Sequence, residues 1–308
     1  MRSLIMKKDY DTTRDILDVI IIGGSYAGLS AALALGRSRR KVLIIDSGEP
    51  CNRFAKYSHN FLTHDGNSPA AITLAARRQV MAYPTVRFLE GLAARAIGKD
   101  NHYLVETTAG AQFHTRKLLF ATGIKDLMPD IPGFAECWGT SVVQCPYCHG
   151  YEFRDQPTGI LMNGDMAADF APLVRNLTGH LTILTNGPSM IDAARREKLE
   201  AMQIAVNERE VEAIRHENGY LTSAEFKDGA SLPLTALYAR PAFAQHCPIP
   251  MEMGCALTTL GHIEVNDFQQ TTIPGVYAAG DNTHPMRSVA GAVAAGSKAG
   301  AMLNHELI

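Results

Sequence analysis

The chain has 308 residues, 46% of them hydrophobic, enough for a substantial core and more than the usual length of one domain, so two domains are expected. Its net charge of −2 supplies no basic field for nucleic acid or an acidic membrane surface, and no apolar run reaches membrane-spanning length. Six cysteines are too few for a disulfide-stapled secreted scaffold, and residues 1–15 mix charges without a signal-like apolar stretch, which predicts a cytoplasmic protein acting on small molecules or proteins.

In chain order, Asp18 to Ile22 is a β-branched run that meets Gly23-Gly24-Ser25-Tyr26-Ala27-Gly28, after which Leu29 to Leu35 reads as an Ala-rich helix. Lys41 to Ile45 is a second strand ending at Asp46. Strand, glycine turn, helix, strand and acid in this order form the dinucleotide-binding βαβ unit. Its pyrophosphate rests on the helix amides after Gly23, and Asp46 stands at the spacing of the ribose-binding acid. Ser25 replaces the glycine that lets backbone approach the pyrophosphate, and its small size predicts a modified turn with the site retained. The stretch from Asn52 to Gly66 is polar and aromatic and carries His59 and His64, either of which could assist a catalytic His149, although loop histidines of this kind are more often bland surface residues.

Lys117 to Phe120 is a short strand entering Ala121-Thr122-Gly123. The segment Cys145-Pro146-Tyr147-Cys148-His149-Gly150-Tyr151-Glu152 follows. Two cysteines two residues apart at a helix start read as a redox pair or as half of a zinc site. Zinc would need two further ligands at matching spacing, and His149 is too close in sequence to serve easily. The second thiolate is expected to be the stabilised one, with His149 beside it as proton carrier, because its ordinary pKa lies near neutrality. Gly159 to Met162, the turn Asn163 to Ala168, a helix from Asp169 and a strand from His180 repeat the βαβ order, but Asn163, Asp165 and Ala168 replace the three fingerprint glycines. Asp165 would repel a pyrophosphate there, and Thr185-Asn186-Gly187-Pro188 offers no group for a ribose or a 2′-phosphate. Near the end, Thr272 to Asp281 gives a turn, a strand and an acid, then His284, and Val289 to Leu303 reads as a closely packed helix. The fold class is therefore α/β, with two Rossmann-like dinucleotide-binding domains: residues 1–123 and 242–308 form a discontinuous first domain, and residues 124–241 are inserted in it.

The motifs Gly23 to Gly28, Ala121 to Gly123, Cys145 with Cys148, and Gly275 to Asp281 together resemble those of the low-molecular-weight thioredoxin reductase-like flavoproteins, from Asp18 to the last helix. The resemblance implies an FAD domain interrupted by a nicotinamide-type domain that carries the redox cysteines, in a homodimer. It places Gly23, Gly24, Ser25, Ala27, Gly28, Asp46, Thr122, Gly123 and Gly280 along FAD, with Asn52 a further contact and Asp281 on the ribityl chain. The helix start at Val289 and Ala290 would turn its amides toward the flavin. Cys148 matches the cysteine that faces the flavin and Cys145 the one that exchanges with substrate. More narrowly, the octapeptide is similar to that of dithiol oxidases that close disulfides in gliotoxin- and holomycin-type natural products. Ordinary thioredoxin reductases have an aspartate where this chain has His149.

Three functions stay open. A small dithiol could reduce the Cys145–Cys148 disulfide and pass electrons through FAD to oxygen or a protein electron carrier, which suits the altered second turn. Alternatively, NADPH or a ferredoxin-like donor drives reduction of a thioredoxin-like protein, although the altered turn argues against NADPH. The third is a flavin-containing redox sensor without turnover.

Overall fold

The computed structural model describes residues 16–308, so the expectation of no leader in residues 1–15 lies outside the described residues. The chain divides into two compact units. One comprises Met1–Pro50, Ala71–Lys125 and Gln245–Ile308; the other comprises Cys51–Ala70 and Asp126–Ala244. The segment Cys51–Ala70, which the sequence leaves with residues 1–123, thus groups with the second unit. Phe54 accounts for part of this: its Cβ lies 2.9 Å from where Gly139 would carry a Cβ, a contact only glycine permits.

The first unit is built on the strand Leu17–Ile22, which pairs in parallel with Val42–Asp46 on one side and Gln112–Phe120 on the other. Val86–Glu90 extends the sheet beyond Val42–Asp46, and Val276–Ala278 pairs in parallel with the end of Gln112–Phe120. Val19 to Ile22, Val42 to Ile45, Lys117 to Phe120 and Val276–Ala278 are buried on both faces, whereas the edge strand Val86–Glu90 is partly exposed. Ile20 and Ile22 join one core with Leu43, Phe120 and Val276, while Val19 and Ile21 join another with Ile44, Leu119 and Tyr277. Continuous β-branched runs are what a doubly covered parallel sheet requires. The strand ending at Phe120 starts earlier than expected because its first half pairs antiparallel with His102–Thr107, which in turn pairs with Ala93–Lys99.

Two helices, Tyr26–Arg37 and Val289–Glu306, cover the second of these faces. They meet closely because glycine faces backbone. A Cβ on Gly296 would lie 2.0 Å from the Ala27 carbonyl oxygen, and one on Gly300 would lie 2.7 Å from that of Ala31. Ser30 Oγ adds a hydrogen bond to the Val293 carbonyl at 2.8 Å. The C-terminal helix is also tied to the sheet by Lys117, whose nearly buried ammonium sits 2.7 Å from Asp100 and 2.9 Å from Glu306.

The second unit has a five-stranded parallel sheet in the order Ala205–Asn207, Leu181–Leu184, Thr158–Leu161, Ala236–Ala239, Val142–Val143. The helix Asp165–Arg175 buries Ala167, Ala171 and Val174 against it, starting earlier than the sequence suggests. A three-stranded antiparallel sheet, Val211–Glu217, Tyr220–Phe226 and Ser231–Pro233, packs within the same unit around Ile214, Ala224 and Leu237. Among the described residues no helix is long and apolar enough to cross a membrane.

Candidate active site

The redox segment forms a single-turn helix, Pro146–His149, with Cys145 as its N-cap in an extended conformation. Pro146 at the first helical position fixes φ where no backbone donor is needed. The turn closes through the Gly150 amide, which donates to the Pro146 carbonyl at 2.8 Å. Gly150 cannot be larger: an added Cβ would meet that same carbonyl and Leu177 Cδ1 at 2.4 Å and the Tyr238 hydroxyl at 2.9 Å.

Both cysteines are half-buried free thiols, and the Cys148 Sγ–H donates to Cys145 Sγ at 2.8 Å. The Cys145 pKa is lowered to about 7, chiefly by this donor, against the opposing effect of burial, with the amides of Cys148 and Tyr147 and the charge of Arg240 adding to it. The lowered thiol is thus that of the first cysteine, where the sequence pointed to the second. The Cys148 Sγ–H contributes most, and the helix amides, which face the capping residue, add to it. Arg240 is itself held over the Phe170 ring, 4.7 Å from its centroid. Beneath the turn, the Tyr238 hydroxyl is kept protonated, its pKa raised by burial and by Cys145, Glu152 and Cys148.

Burial pushes the His149 imidazole below its ordinary value, partly opposed by Glu152 and reinforced by His59. A neutral ring at pH 7 can accept a proton from a thiol. Glu152 lies on the turn Tyr151–Phe153 that follows directly. Its Oε1 is 3.5 Å from His59 Nε2, and His59 Nδ1 is 3.6 Å from Asp65 Oδ1. Of the candidate histidines His59, His64 and His284, His59 is the one brought to the motif. His64 stacks on Phe61 and its Nδ1 accepts from Asn67 Nδ2 at 3.2 Å, and His284 Nδ1 accepts the Met286 amide at 3.0 Å. Cys137, Cys247 and Cys255 are buried, with thiol pKa values raised by burial, Cys247 to about 11, and they belong to the cores. Glu152, Tyr238 and Arg240 were not singled out from the sequence; only Glu152, inside the octapeptide, carried a signal.

In the first unit the glycine turn has the form of a phosphate cradle. Gly23 has φ +105°, and a Cβ there would lie 2.2 Å from the Ala121 carbonyl oxygen; one on Gly28 would lie 1.9 Å from that of Gly23. Gly24 is pressed against Asp46 and the Phe88 ring, and its amide donates to Asp46 Oδ1 at 2.8 Å. Ser25 has φ −90° and ψ −160°, a conformation any residue adopts, which explains why serine replaces glycine there. No side chain caps the helix Tyr26–Arg37 and its first turn contains no acid, so its leading amides are available to an anion. Gly123 and Gly280 have φ +63° and +100°, and Asp281 Oδ2 lies 3.7 Å from Arg287 Nε. Ser288 caps the last helix by accepting the Gly291 amide at 3.0 Å, so the amides of Val289 and Ala290 are the first-turn donors with no acceptor within the helix. This cradle fits a dinucleotide such as FAD. Asn52, on the short helix Cys51–Phe54, belongs to the second unit.

The corresponding turn of the second unit is filled by its own side chains. Asn163 Oδ1 accepts the amides of Gly164 at 2.7 Å and Met190 at 2.8 Å, and Asn163 Nδ2 donates to the Pro188 carbonyl at 2.9 Å. Asp165 occupies the helix start, and Arg195 is committed to Asp165, Asp169 and Asp192.

Two Rossmann-type units, one of them carrying a helix-capping dithiol, define a disulfide oxidoreductase acting on sulfur groups. The chain belongs to the pyridine nucleotide-disulphide oxidoreductase family, whose profile matches residues 17–297. Within it the chain is thioredoxin reductase-like. It is 34% identical to a protein named thioredoxin reductase tcpT from Claviceps purpurea and 32% identical to thioredoxin reductase sirT from Leptosphaeria maculans, each match covering 96% of both chains. Among solved structures, an oxidoreductase from Agrobacterium tumefaciens superposes with a TM-score of 0.90 at 38% identity, over 95% of this chain and 98% of that one.

Proposed function

We propose that the protein is an FAD-dependent dithiol oxidase acting as a homodimer, in which a small dithiol reduces the Cys145–Cys148 disulfide. The observation that carries this reading is the side-chain filling of the second nucleotide turn by Asn163, with Asp165 at the helix start. A pyrophosphate would have to displace three hydrogen bonds there and sit beside a carboxylate, with Arg195 already paired. Electrons from NADPH are thereby disfavoured, and the dithiol itself becomes the reductant.

A substrate thiolate attacks Cys145 Sγ of the disulfide, forming a mixed disulfide and releasing Cys148 as thiolate. The second substrate thiol gives its proton to neutral His149 and attacks the first substrate sulfur, which expels Cys145. The amides of Cys148 and Tyr147 and the charge of Arg240, which favour a thiolate at Cys145, assist its departure in that step. Product carries the new disulfide, and the Cys145/Cys148 pair carries two electrons. FAD, which the Gly23–Gly28 turn would hold, would supply the acceptor for the two electrons of the Cys145/Cys148 pair, with oxygen, reduced to peroxide, or a protein carrier as the final oxidant.

The names of the curated relatives favour a second reading, reduction of a thioredoxin-like protein at the expense of NADPH. Anaerobic stopped-flow of the flavin-loaded protein separates the two. Flavin bleaching by dithiothreitol but not by NADPH or NADH, with peroxide on admission of air, is expected. Rapid bleaching by NADPH replaces the oxidase with the reductase.

A further inference from the structure

We infer that His59 is a positioning residue for proton transfer at the redox motif, holding the Glu152 carboxylate by one ring nitrogen while Asp65 holds the other, so that Glu152 exchanges the proton of His149 with solvent. The inference rests on the proton-carrier role of His149 proposed above.

His59 comes from a segment remote in sequence yet reaches the motif within a single unit, with Nε2 3.5 Å from Glu152 and Nδ1 3.6 Å from Asp65. Its loop is pinned at both ends. The Ser58 amide donates to the Asn67 carbonyl at 2.8 Å, the Gly66 amide to that of Ser58 at 2.9 Å, and the Asn60 amide to Asp65 Oδ1 at 2.7 Å. Asn60 and Thr63 adopt φ of +59° and +72°, a conformation that is strained for β-branched Thr63. The loop therefore has one ring placement enforced by backbone bonds and an anchored carboxylate.

Exposure rises along the sequence of groups. His149 is half-buried, the His59 side chain is 20% exposed, Glu152 is 41% and Asp65 68% exposed. A proton accepted by His149 inside the motif thus has an acidic neighbour with water access. Other ionisable groups around the turn are Cys145 and Cys148, Arg240, whose charge reaches Cys145, the protonated Tyr238 hydroxyl beneath Gly150, the exposed phenols of Tyr147 and Tyr151, and Arg154 over the Tyr151 ring. The thiols are the proton source, Tyr238 is buried and the arginines do not titrate, which leaves Glu152 as the carboxylate of the motif with access to water.

The two partners act on His149 with opposite sign: Glu152 favours its protonated form and His59 disfavours it. The test is an NMR titration of the flavin-loaded, reduced protein labelled at histidine Cε1, with the His149 signal assigned by its loss in His149→Gln. Glu152→Gln is expected to lower the His149 midpoint and His59→Gln to raise it, each by about half a pH unit. Dithiothreitol-driven flavin bleaching should slow about tenfold in both variants and recover on addition of imidazole as an external proton carrier. Midpoints that stay fixed or move in the same direction overturn the inference, as does a slowing that imidazole does not relieve. If bleaching in His149→Gln runs at the wild-type rate, the proton-carrier reading itself fails, an outcome recognisable without the two neighbouring variants. Glu152→Gln is nearly isosteric at a partly exposed site, so it keeps the test open should His59→Gln misfold.

Discussion

The thiol of Cys148 donates to Cys145 Sγ, and this bond is the largest of the influences that bring Cys145 to a pKa of about 7. Removing the donor in Cys148→Ala should raise the Cys145 pKa by about one unit, since burial then acts with less opposition. Alkylation of reduced protein by iodoacetamide, followed by mass spectrometry of the Cys145 peptide, reads this directly. In the wild type the rate is half-maximal near pH 7; an unshifted midpoint in the variant would show that the helix amides and Arg240 suffice.

Gly296 faces the Ala27 carbonyl at a distance no Cβ tolerates. Gly296→Ala should force the two helices apart and cost about 2 kcal/mol in urea denaturation, with loss of bound flavin because Tyr26–Arg37 begins at the phosphate cradle. Gly91 has nothing within 4 Å of an added Cβ, so Gly91→Ala should stay within about 0.5 kcal/mol. Equal effects of the two changes would remove the steric explanation.

Lys117 is nearly buried between Asp100 and Glu306, and its pKa is raised because these hydrogen bonds outweigh desolvation. Lys117→Met should cost about 2 kcal/mol, less than the roughly 3 to 5 kcal/mol of a fully buried pair because both carboxylates keep access to water. Glu306 feels desolvation upward, but Lys117, Tyr277 and Gln270 bring its pKa below the usual glutamate range. Its contribution is therefore complete above the unfolded-state pKa and is lost as pH falls through the depressed folded value. Stability measured from neutral into acid should fall less steeply in the variant than in the wild type; parallel curves would deny the coupling.

Asn163→Ala deletes three side-chain hydrogen bonds, two from the second turn to the loop Pro188–Met190 and one within the turn, for an expected loss of about 2 kcal/mol. With Asp165 still at the helix start, NADPH should continue to fail to bleach the flavin in this variant. Stopped-flow bleaching by NADPH would show that the asparagine alone was the barrier.

The parallel strands and the helices between them were legible because a doubly buried strand is a continuous apolar run, as in Val19 to Ile22, and because Gly23 to Gly28 serves one turn geometry. The antiparallel additions were not. Ala93–Lys99 and Val211–Glu217 carry mixed exposed and buried positions, whose weak alternation resembles loop sequence. In the redox motif the residue types were readable, but which sulfur is favoured depends on where the amides point. His59 could not be told from His64 by sequence, since both sit in one polar loop and only its fold delivers one of them to Glu152.

Asn163 gives the second turn an occupant that never diffuses away. Under the oxidase reading, this side-chain amide, tethered to the backbone by one methylene, would compete with any arriving phosphate at an effective concentration of about millimolar or higher, a competitive inhibitor of nucleotide entry at fixed dose. Turnover of the Cys145/Cys148 pair would then follow the supply of dithiol and remain indifferent to the state of the nicotinamide pool.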